Sequence, residues 1–401
     1  MELAEFIIQG QQLRQQDRTA AIAYFEQCLQ NNPNATSPED RGITVRMLLD
    51  LAVELIGAKQ PDQLQRAKDL IQQAENILNS LEISNGQAAY LLYVQAILAM
   101  ELGGLQDVLS VLQQAYEVYG NNLEGKSLID DTIGRYYTKV GDYQSALISF
   151  ERSLSLRLES EDESAIGKSY AYLGQLYLSS GEINQAASLF QSTLDIAIAK
   201  SDNFLKLQAL KGLGKVAIAE AQWQNAIALI KDTLTLLKEP VDSIEIGYLY
   251  CDLTEALLGD RQVEESLICI RIDALRRFRD FQYLRGIAIA KHIRGKIYVH
   301  RLREGLDVID EEAIETAEDS LLDASLTFEQ FGMMHEYAKT LYDLAALYQL
   351  CSSSQYQYQY QGKSLRSLEL SLSVLDQLNM GDSQLALQVE AMLHQVMRGS
   401  F

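Results

Sequence analysis

The chain has 401 residues, of which 47% are hydrophobic and 22% are charged, so it can bury a large core. It holds only four prolines, which favours helix because proline breaks helix interiors. Its formal net charge of −21 disfavours a general surface for nucleic acid or for an anionic membrane.

The sequence predicts a cytoplasmic protein. No apolar run approaches the roughly 20 residues that a transmembrane helix needs, and residues 1–13 lack the basic and then apolar order of a secretory signal. The cysteines are scattered and form no disulfide framework, which is typical of a reducing compartment. They are Cys28, Cys251, Cys269 and Cys351.

Apolar residues recur at helical spacing along the chain and predict pairs of helices. In chain order, these hairpins cover residues 2–33, 38–80, 87–119, 126–159, 164–200, 203–238, 243–280, 283–330 and 335–379, and a last helix covers 382–398. All four prolines fall at junctions between predicted helices, as an array of helices requires. Residues 352–361 are a low-complexity run of Ser, Gln and Tyr, which we interpret as an exposed loop or, alternatively, as a tyrosine-based contact surface.

A 40-residue repeat runs through the middle of the chain. Ile133-Gly134 is followed by Leu173-Gly174 and Leu213-Gly214 at steps of 40 residues, and Phe150 is followed by Phe190 at the same step. A small residue lets two helices approach, and a large residue of the second helix fills the space that is left. One such hairpin cannot bury its apolar face alone, so neighbouring hairpins are expected to stack.

This pattern resembles the tetratricopeptide repeat, whose ordinary period is 34 residues. The resemblance covers nearly the whole chain once insertions are allowed. It implies an all-α fold: a right-handed superhelical solenoid of about nine helical hairpins with a C-terminal capping helix, forming a single domain over residues 1–401.

The resemblance also implies where a ligand would bind, because the first helices of this family line the concave wall of the superhelix. Carried over copy by copy, the candidate groove residues are Arg135, Lys139, Lys168, Tyr172, Gln175, Lys211, Lys215, Lys291 and His292. The amino-terminal copies contribute mainly apolar residues, namely Phe6, Tyr90, Tyr93, Ile97 and Met100.

The cations among these candidates suggest the chemistry of the ligand. Lys211 and Lys215 are four residues apart and so share one helix face. Positive side chains inside an acidic protein would attract an anionic peptide segment or a free carboxylate. The alternative is that the lysines are solvated, or that they pair with acids of adjoining first helices such as Asp131, Asp252 and Glu255.

One motif suggests nucleotide binding and is interpreted otherwise. Residues 120–127 fit the phosphate-binding pattern G-x-x-x-x-G-K-[ST]. That loop needs a strand before it, whereas here a helical pattern precedes it. The triplet Gly-Lys-Ser recurs near two other helix starts, so we interpret the motif as a link between repeats.

Other reactive side chains do not form a recognisable site. The histidines and cysteines lack the spacing of a metal site, and no cysteine has an evident histidine partner for catalysis. Adjacent carboxylates such as Glu264 and Glu265 are interpreted as solvated helix faces. An arginine cluster around the seventh hairpin is interpreted as a surface patch, with nucleic-acid binding as the alternative. It consists of Arg271, Arg276, Arg277, Arg279 and Arg285.

The sequence therefore predicts a non-enzymatic scaffold or adaptor that binds a protein or peptide in its concave groove, without a metal, a cofactor, nucleic acid or a membrane. The alternative is a regulator that senses a peptide or small ligand and changes its superhelical pitch to control a second partner. An enzyme that turns over ATP is a third class, and self-association is left open.

Overall fold

The computed structural model describes residues 9–10, 12–13, 18–31, 37–80, 85–104, 106–238, 243–307, 311–351, 357–378, 380–381 and 383–398. Across these ranges the chain is helical and contains no strand. The predicted all-α class is therefore confirmed. None of the described helices is both long enough and apolar enough to cross a membrane. Residues 2–8, Pro33, Pro240, residues 352–356 and Asp382, to which predictions referred, lie outside the described ranges.

The helices follow one another through short connections. They are α1 (Arg18–Asn31), α2 (Pro38–Ala58), α3 (Pro61–Leu78), α4 (Asn85–Leu102), α5 (Val108–Val118), α6 (Leu123–Val140), α7 (Tyr143–Ser160), α8 (Glu163–Ser179), α9 (Ile183–Lys200), α10 (Asn203–Ala219), α11 (Trp223–Leu234), α12 (Ser243–Gly259), α13 (Val263–Ile268), α14 (Leu275–Asp280), α15 (Leu284–Arg303), α16 (Glu311–Gln330), α17 (Met334–Cys351), α18 (Gln357–Gln377) and α19 (Gln384–Arg398). A π-helical turn, Cys269–Ala274, joins α13 to α14. Neighbouring helices pack as pairs, for example α2 on α3, α8 on α9, and α17 on α18.

The chain forms two compact units. The first comprises Met1–Thr138, Tyr143–Val216 and Asp232–Glu245, and the second comprises Lys139–Asp142, Ala217–Lys231 and Ile246–Phe401. That all the hairpins form one continuous solenoid stays a prediction.

The turns between helices repeat with the same 40-residue period as the sequence. The residues after the first helices of four consecutive hairpins, Gly141, Gly181, Ala221 and Arg261, all have positive φ, between 57° and 86°. This left-handed conformation ends a helix and reverses the chain within two or three residues. Such short connections make consecutive helices antiparallel.

Two consecutive hairpins close by inserting an aromatic ring against a glycine, as the repeat pattern predicts. A Cβ built on Gly134 would lie 2.6 Å from the Phe150 ring, and one on Gly174 would lie 3.0 Å from the Phe190 ring. Phe150 and Phe190 are each only 2% exposed. Because one face of α6 and of α8 is committed to this packing, the opposite face is available to line a cavity.

The ends of these helices are fixed by side-chain caps. Asp162 accepts a hydrogen bond from the backbone N–H of Ala165 at 3.1 Å, and Asp202 accepts one from Leu205 at 3.0 Å. Ser37 accepts one from Asp40 at 3.0 Å. Caps of this kind satisfy N–H groups that the helix leaves unbonded, and they fix where the first turn begins.

Candidate functional site

A cavity of about 850 Å³ lies within the first unit. Its wall is built mainly from the first helices of successive hairpins, α2, α4, α6, α8 and α10, and from the segment that leads into α12. These are the helices that the resemblance placed on the ligand-binding side. We call this space the first-unit cavity.

The charge of the first-unit cavity is opposite to that of the chain. Nine of its lining residues are Lys or Arg and six are Asp or Glu, although the whole chain carries a net charge of −21. The cations are Arg18, Arg46, Lys59, Arg135, Arg157, Lys168, Lys211, Lys215 and Lys238. The acids are Glu54, Glu101, Glu124, Asp131, Asp162 and Glu245. An excess of cations in a concave wall raises the local concentration of anions.

Aromatic side chains lie among these charges. Tyr90 and Tyr93 stack with their ring centres 5.7 Å apart, and the Arg46 guanidinium lies 4.2 Å from the Tyr90 ring centre. The Tyr172 ring stacks on Phe150 at 5.6 Å. The wall can therefore offer both charge and flat apolar surface to a ligand.

Six of the nine predicted groove residues line this one cavity: Arg135, Lys168, Tyr172, Gln175, Lys211 and Lys215. Of the apolar candidates, Tyr90, Tyr93 and Ile97 also line it, whereas the buried Met100 does not. Phe6 lies outside the described residues. Lys139 is exposed at the end of α6 and is not part of the wall.

The other two candidates, Lys291 and His292, belong to the second unit. Lys291 Nζ bonds Asp323 Oδ2 at 2.8 Å, and His292 Nε2 lies 2.6 Å from Asp343 Oδ2. Burial lowers the pKa of His292 while Asp343 opposes that shift. Both side chains thus take part in contacts between helices of the second unit.

A buried ion pair supports the wall of the first-unit cavity. The Arg157 guanidinium of α7 pairs with Asp131 of α6, and it donates to Ser169 Oγ at 2.8 Å and to the Ala165 carbonyl at 3.1 Å. Its side chain is only 7% exposed. Asp131 therefore forms its ion pair with an arginine of its own hairpin. The alternative, in which Asp131 pairs with a groove lysine, is not what this contact shows.

The sequence pattern did not single out Glu245, the acid with the longest-range contact in the cavity. One of its carboxylate oxygens pairs with Lys211, and Oε2 lies 3.7 Å from Lys59 Nζ. Glu245 lies in the first turn of α12. The repeat pattern instead indicated Asp252 and Glu255, further along that helix, as possible partners of the groove lysines. No local signal could have found Glu245, since Lys59 is 186 positions away.

The motif at residues 120–127 begins in the connection after α5 and runs into the start of α6, whose first residue is Leu123. Asn122 Oδ1 accepts a hydrogen bond from the Gly125 N–H at 2.8 Å, and Lys126 Nζ lies 4.8 Å from the Tyr116 ring centre. The Tyr119 ring fills the space beside Gly125, so that a Cβ there would clash with the ring. This geometry is that of a helix-entry link, and the backbone N–H groups are used in capping.

Several of the remaining reactive groups take part in packing contacts. Burial raises the pKa of Cys269 and of Cys351 to about 11, which disfavours the nucleophilic thiolate. In the arginine cluster, Arg277 donates to the Asp273 carbonyl at 2.7 Å, and Arg285 lies 5.3 Å from the Phe331 ring centre. Within the described ranges, His, Cys, Asp and Glu side chains form no group of three or more that could hold a metal ion.

The fold and the cavity define an all-α protein of repeated helical hairpins whose first helices enclose a cationic space. Family models of the tetratricopeptide repeat match residues 126–199 and residues 12–35. The chain therefore contains tetratricopeptide repeats, as its 40-residue period predicts. No curated protein shows a significant match to the sequence.

Solved structures share the fold at low sequence identity. A Rap protein complexed with competence and sporulation factor is 15% identical, with 88% of this chain and 98% of that chain covered and a TM-score of 0.55. NprR in complex with its cognate peptide NprX is 14% identical, with 93% and 97% covered and a TM-score of 0.52. The apo form of RapI is 13% identical, with 71% and 98% covered and a TM-score of 0.51.

Proposed function

We propose that this protein is a non-enzymatic scaffold that binds an anionic peptide segment, or a peptide's free carboxylate, in the first-unit cavity. The observation that carries the proposal is the charge of the wall, nine cations against six acids in a strongly acidic chain. Random placement of the charges of such a chain would make the wall acidic.

The size and composition of the cavity support the same conclusion. Its volume of about 850 Å³ lies within the range of known ligand sites, roughly 300–1,000 Å³. Lysine is a mobile point charge that accepts anions in several geometries, and Tyr93 and Tyr172 of the same wall offer apolar contact. A short peptide that carries acidic and apolar side chains matches both properties.

A second candidate is a regulator that senses a peptide and passes the change to another partner. The solved structures that favour it are a Rap protein complexed with competence and sporulation factor and NprR in complex with NprX. At 15% and 14% identity, these two structures support a common fold. That this chain also binds a peptide is part of our proposal.

We also propose that the protein acts in the cytoplasm, bound to a protein or peptide and without a cofactor. All four cysteines are free and buried, as expected in a reducing compartment. Nucleic acid is a poor partner for a chain of net charge −21. A homo-oligomer is a separate proposal that sedimentation would test.

The test is isothermal titration calorimetry with a defined probe, N-acetyl hexaglutamate, and with N-acetyl hexaglutamine as its neutral counterpart. The variant Lys168→Gln with Lys215→Gln removes two positive charges from the wall. We expect hexaglutamate to bind the unmodified protein and the variant to bind it at least tenfold more weakly. Hexaglutamine should show no comparable affinity for either.

The matched control is Lys206→Gln with Lys231→Gln, which removes two lysines that do not line the cavity. It should change hexaglutamate affinity less than twofold. If the unmodified protein does not bind hexaglutamate, or if both double variants lose affinity equally, the proposal is wrong. Small-angle scattering with the bound probe then separates the two candidates, because a regulator should change its radius of gyration and a passive scaffold should not.

A further inference from the structure

Glu245 holds together two distant parts of the first-unit cavity. Its carboxylate lies between Lys211 of α10 and Lys59, the residue that ends α2. The side chain of Glu245 is 15% exposed, and those of Lys211 and Lys59 are 21% and 32% exposed. All three residues line the cavity. The contact therefore joins the second hairpin to the start of the seventh through the ligand space.

The backbone positions of Glu245 and Lys59 favour this ion pair. Glu245 lies in the first turn of α12, where the helix dipole stabilises a carboxylate. Lys59 has φ of 59° and its N–H bonds the Ile56 carbonyl, so it is fixed as the left-handed cap of α2. Both ends are anchored to helices, which lowers the entropy lost when the ion pair forms.

We propose that Glu245 is an internal carboxylate that occupies the anion-binding position of the cavity, and that a ligand's carboxylate must displace it from Lys211 and Lys59. The inference rests on the proposed function, in which the cations of this cavity bind an anion. It identifies Glu245 as the residue that sets both affinity and selectivity for acidic ligands.

The physical consequence is competition within one molecule. A ligand that needs the lysines binds only the fraction of molecules in which Glu245 has left them, so its apparent affinity is reduced by that fraction. A neutral ligand cannot replace the carboxylate between the two lysines and is therefore rejected. Two partly exposed ion pairs correspond to a competition of about fivefold or more.

The experiment compares Glu245→Gln with Glu124→Gln by calorimetry, using N-acetyl hexaglutamate. Glu124 lines the same cavity at the start of α6, and in the described part of the chain it forms no ion pair. Both variants remove one negative charge from the wall. We expect Glu245→Gln to bind hexaglutamate at least fivefold more tightly than the unmodified protein, and Glu124→Gln less than twofold more tightly.

Equal gains in the two variants would overturn the proposal, because the effect would then be the general field of the cavity. In that case the proposed function still stands, since Lys168→Gln with Lys215→Gln would still lose the probe. If the unmodified protein does not bind hexaglutamate, the proposed function fails, and this inference fails with it.

A second measurement needs no ligand. Hydrogen–deuterium exchange should be faster in Glu245→Gln than in the unmodified protein for the amides that end α2, residues 57–60. Glu124→Gln should leave exchange there unchanged. Unchanged exchange in Glu245→Gln would show that the contact with Lys59 does not hold this region, and the proposal would be wrong.

Discussion

Replacing Glu255 with glutamine should lower the free energy of unfolding of the second unit by about 3 kcal/mol at pH 7, and the loss should vanish near pH 2. Lys296 Nζ of α15 donates to Glu255 Oε1 of α12 at 2.6 Å, and both side chains are 27% exposed. Burial raises the pKa of Glu255, but Lys296, Lys339 and His292 lower it further, to about 2.

The magnitude follows from proton linkage. The pKa of Glu255 falls from 4.5 in the unfolded chain to about 2 in the folded protein, and each unit corresponds to about 1.4 kcal/mol. Because the folded pKa is the lower one, the stabilisation is complete above pH 4.5 and is lost as the pH falls through 2. Glutamine resembles the protonated acid, so the variant should match the unmodified protein only at the acidic end.

The assay is urea unfolding followed by tryptophan fluorescence, repeated at pH values from 7 to 2. Trp223 is the only tryptophan of the chain and belongs to the second unit. Its ring packs on α12, 2.6 Å from where a Cβ on Gly259 would lie. It therefore reports on the helix that carries Glu255. The matched control is Glu265→Gln, an exposed acid of α13.

A difference between Glu255→Gln and the unmodified protein that stays constant from pH 7 to pH 2 would refute the reasoning. The reasoning would also be refuted if Glu265→Gln lost as much free energy of unfolding as Glu255→Gln. In either case the stability of α12 would not depend on ionisation of Glu255.

Three further substitutions test the packing and capping described above. Gly134→Ala should destabilise the protein by about 1–3 kcal/mol in thermal unfolding followed by circular dichroism, because its Cβ would lie 2.6 Å from the Phe150 ring. Gly362→Ala, in α18 with open space around it, should instead stabilise by about 0.5–1 kcal/mol, and equal signs for the two alanines would contradict the packing argument. Asn122→Ala removes the cap of α6 and should cost about 1 kcal/mol in the same assay, whereas its exposed neighbour Asn121→Ala should be close to neutral; no difference between them would exclude the capping role.

The contacts within a hairpin could be predicted from the sequence because they join residues that are close in the chain. Phe150 meets Gly134, and Phe190 meets Gly174, at a spacing of 16 residues in both cases. The left-handed turn after the first helix also recurs at the same position of consecutive hairpins. The face of a first helix that points away from this packing follows directly, which is why six candidates line one cavity.

The individual partners of the site residues could not be predicted in the same way. Lys139 lies one helical turn beyond Arg135 and on the predicted face, yet it is exposed outside the wall. Lys291 faces Asp323 of the following helix, and His292 faces Asp343 of α17. A repeat pattern specifies which face a residue occupies, but the acid that meets it depends on one unrepeated position in a neighbouring helix.

The contact of Lys59 with Glu245 shows the limit most clearly. In a stack of hairpins each repeat touches only its neighbours, and small rotations between repeats add up along the array. Whether α2 reaches the start of α12 therefore depends on the sum of several rotations, and a change of a few degrees in each would separate the two side chains. To predict the sign of the charge on the wall, it is enough to know which face of each first helix points into the cavity. The selectivity proposed for Glu245 depends on the contact between Lys59 and Glu245, which only the folded structure shows.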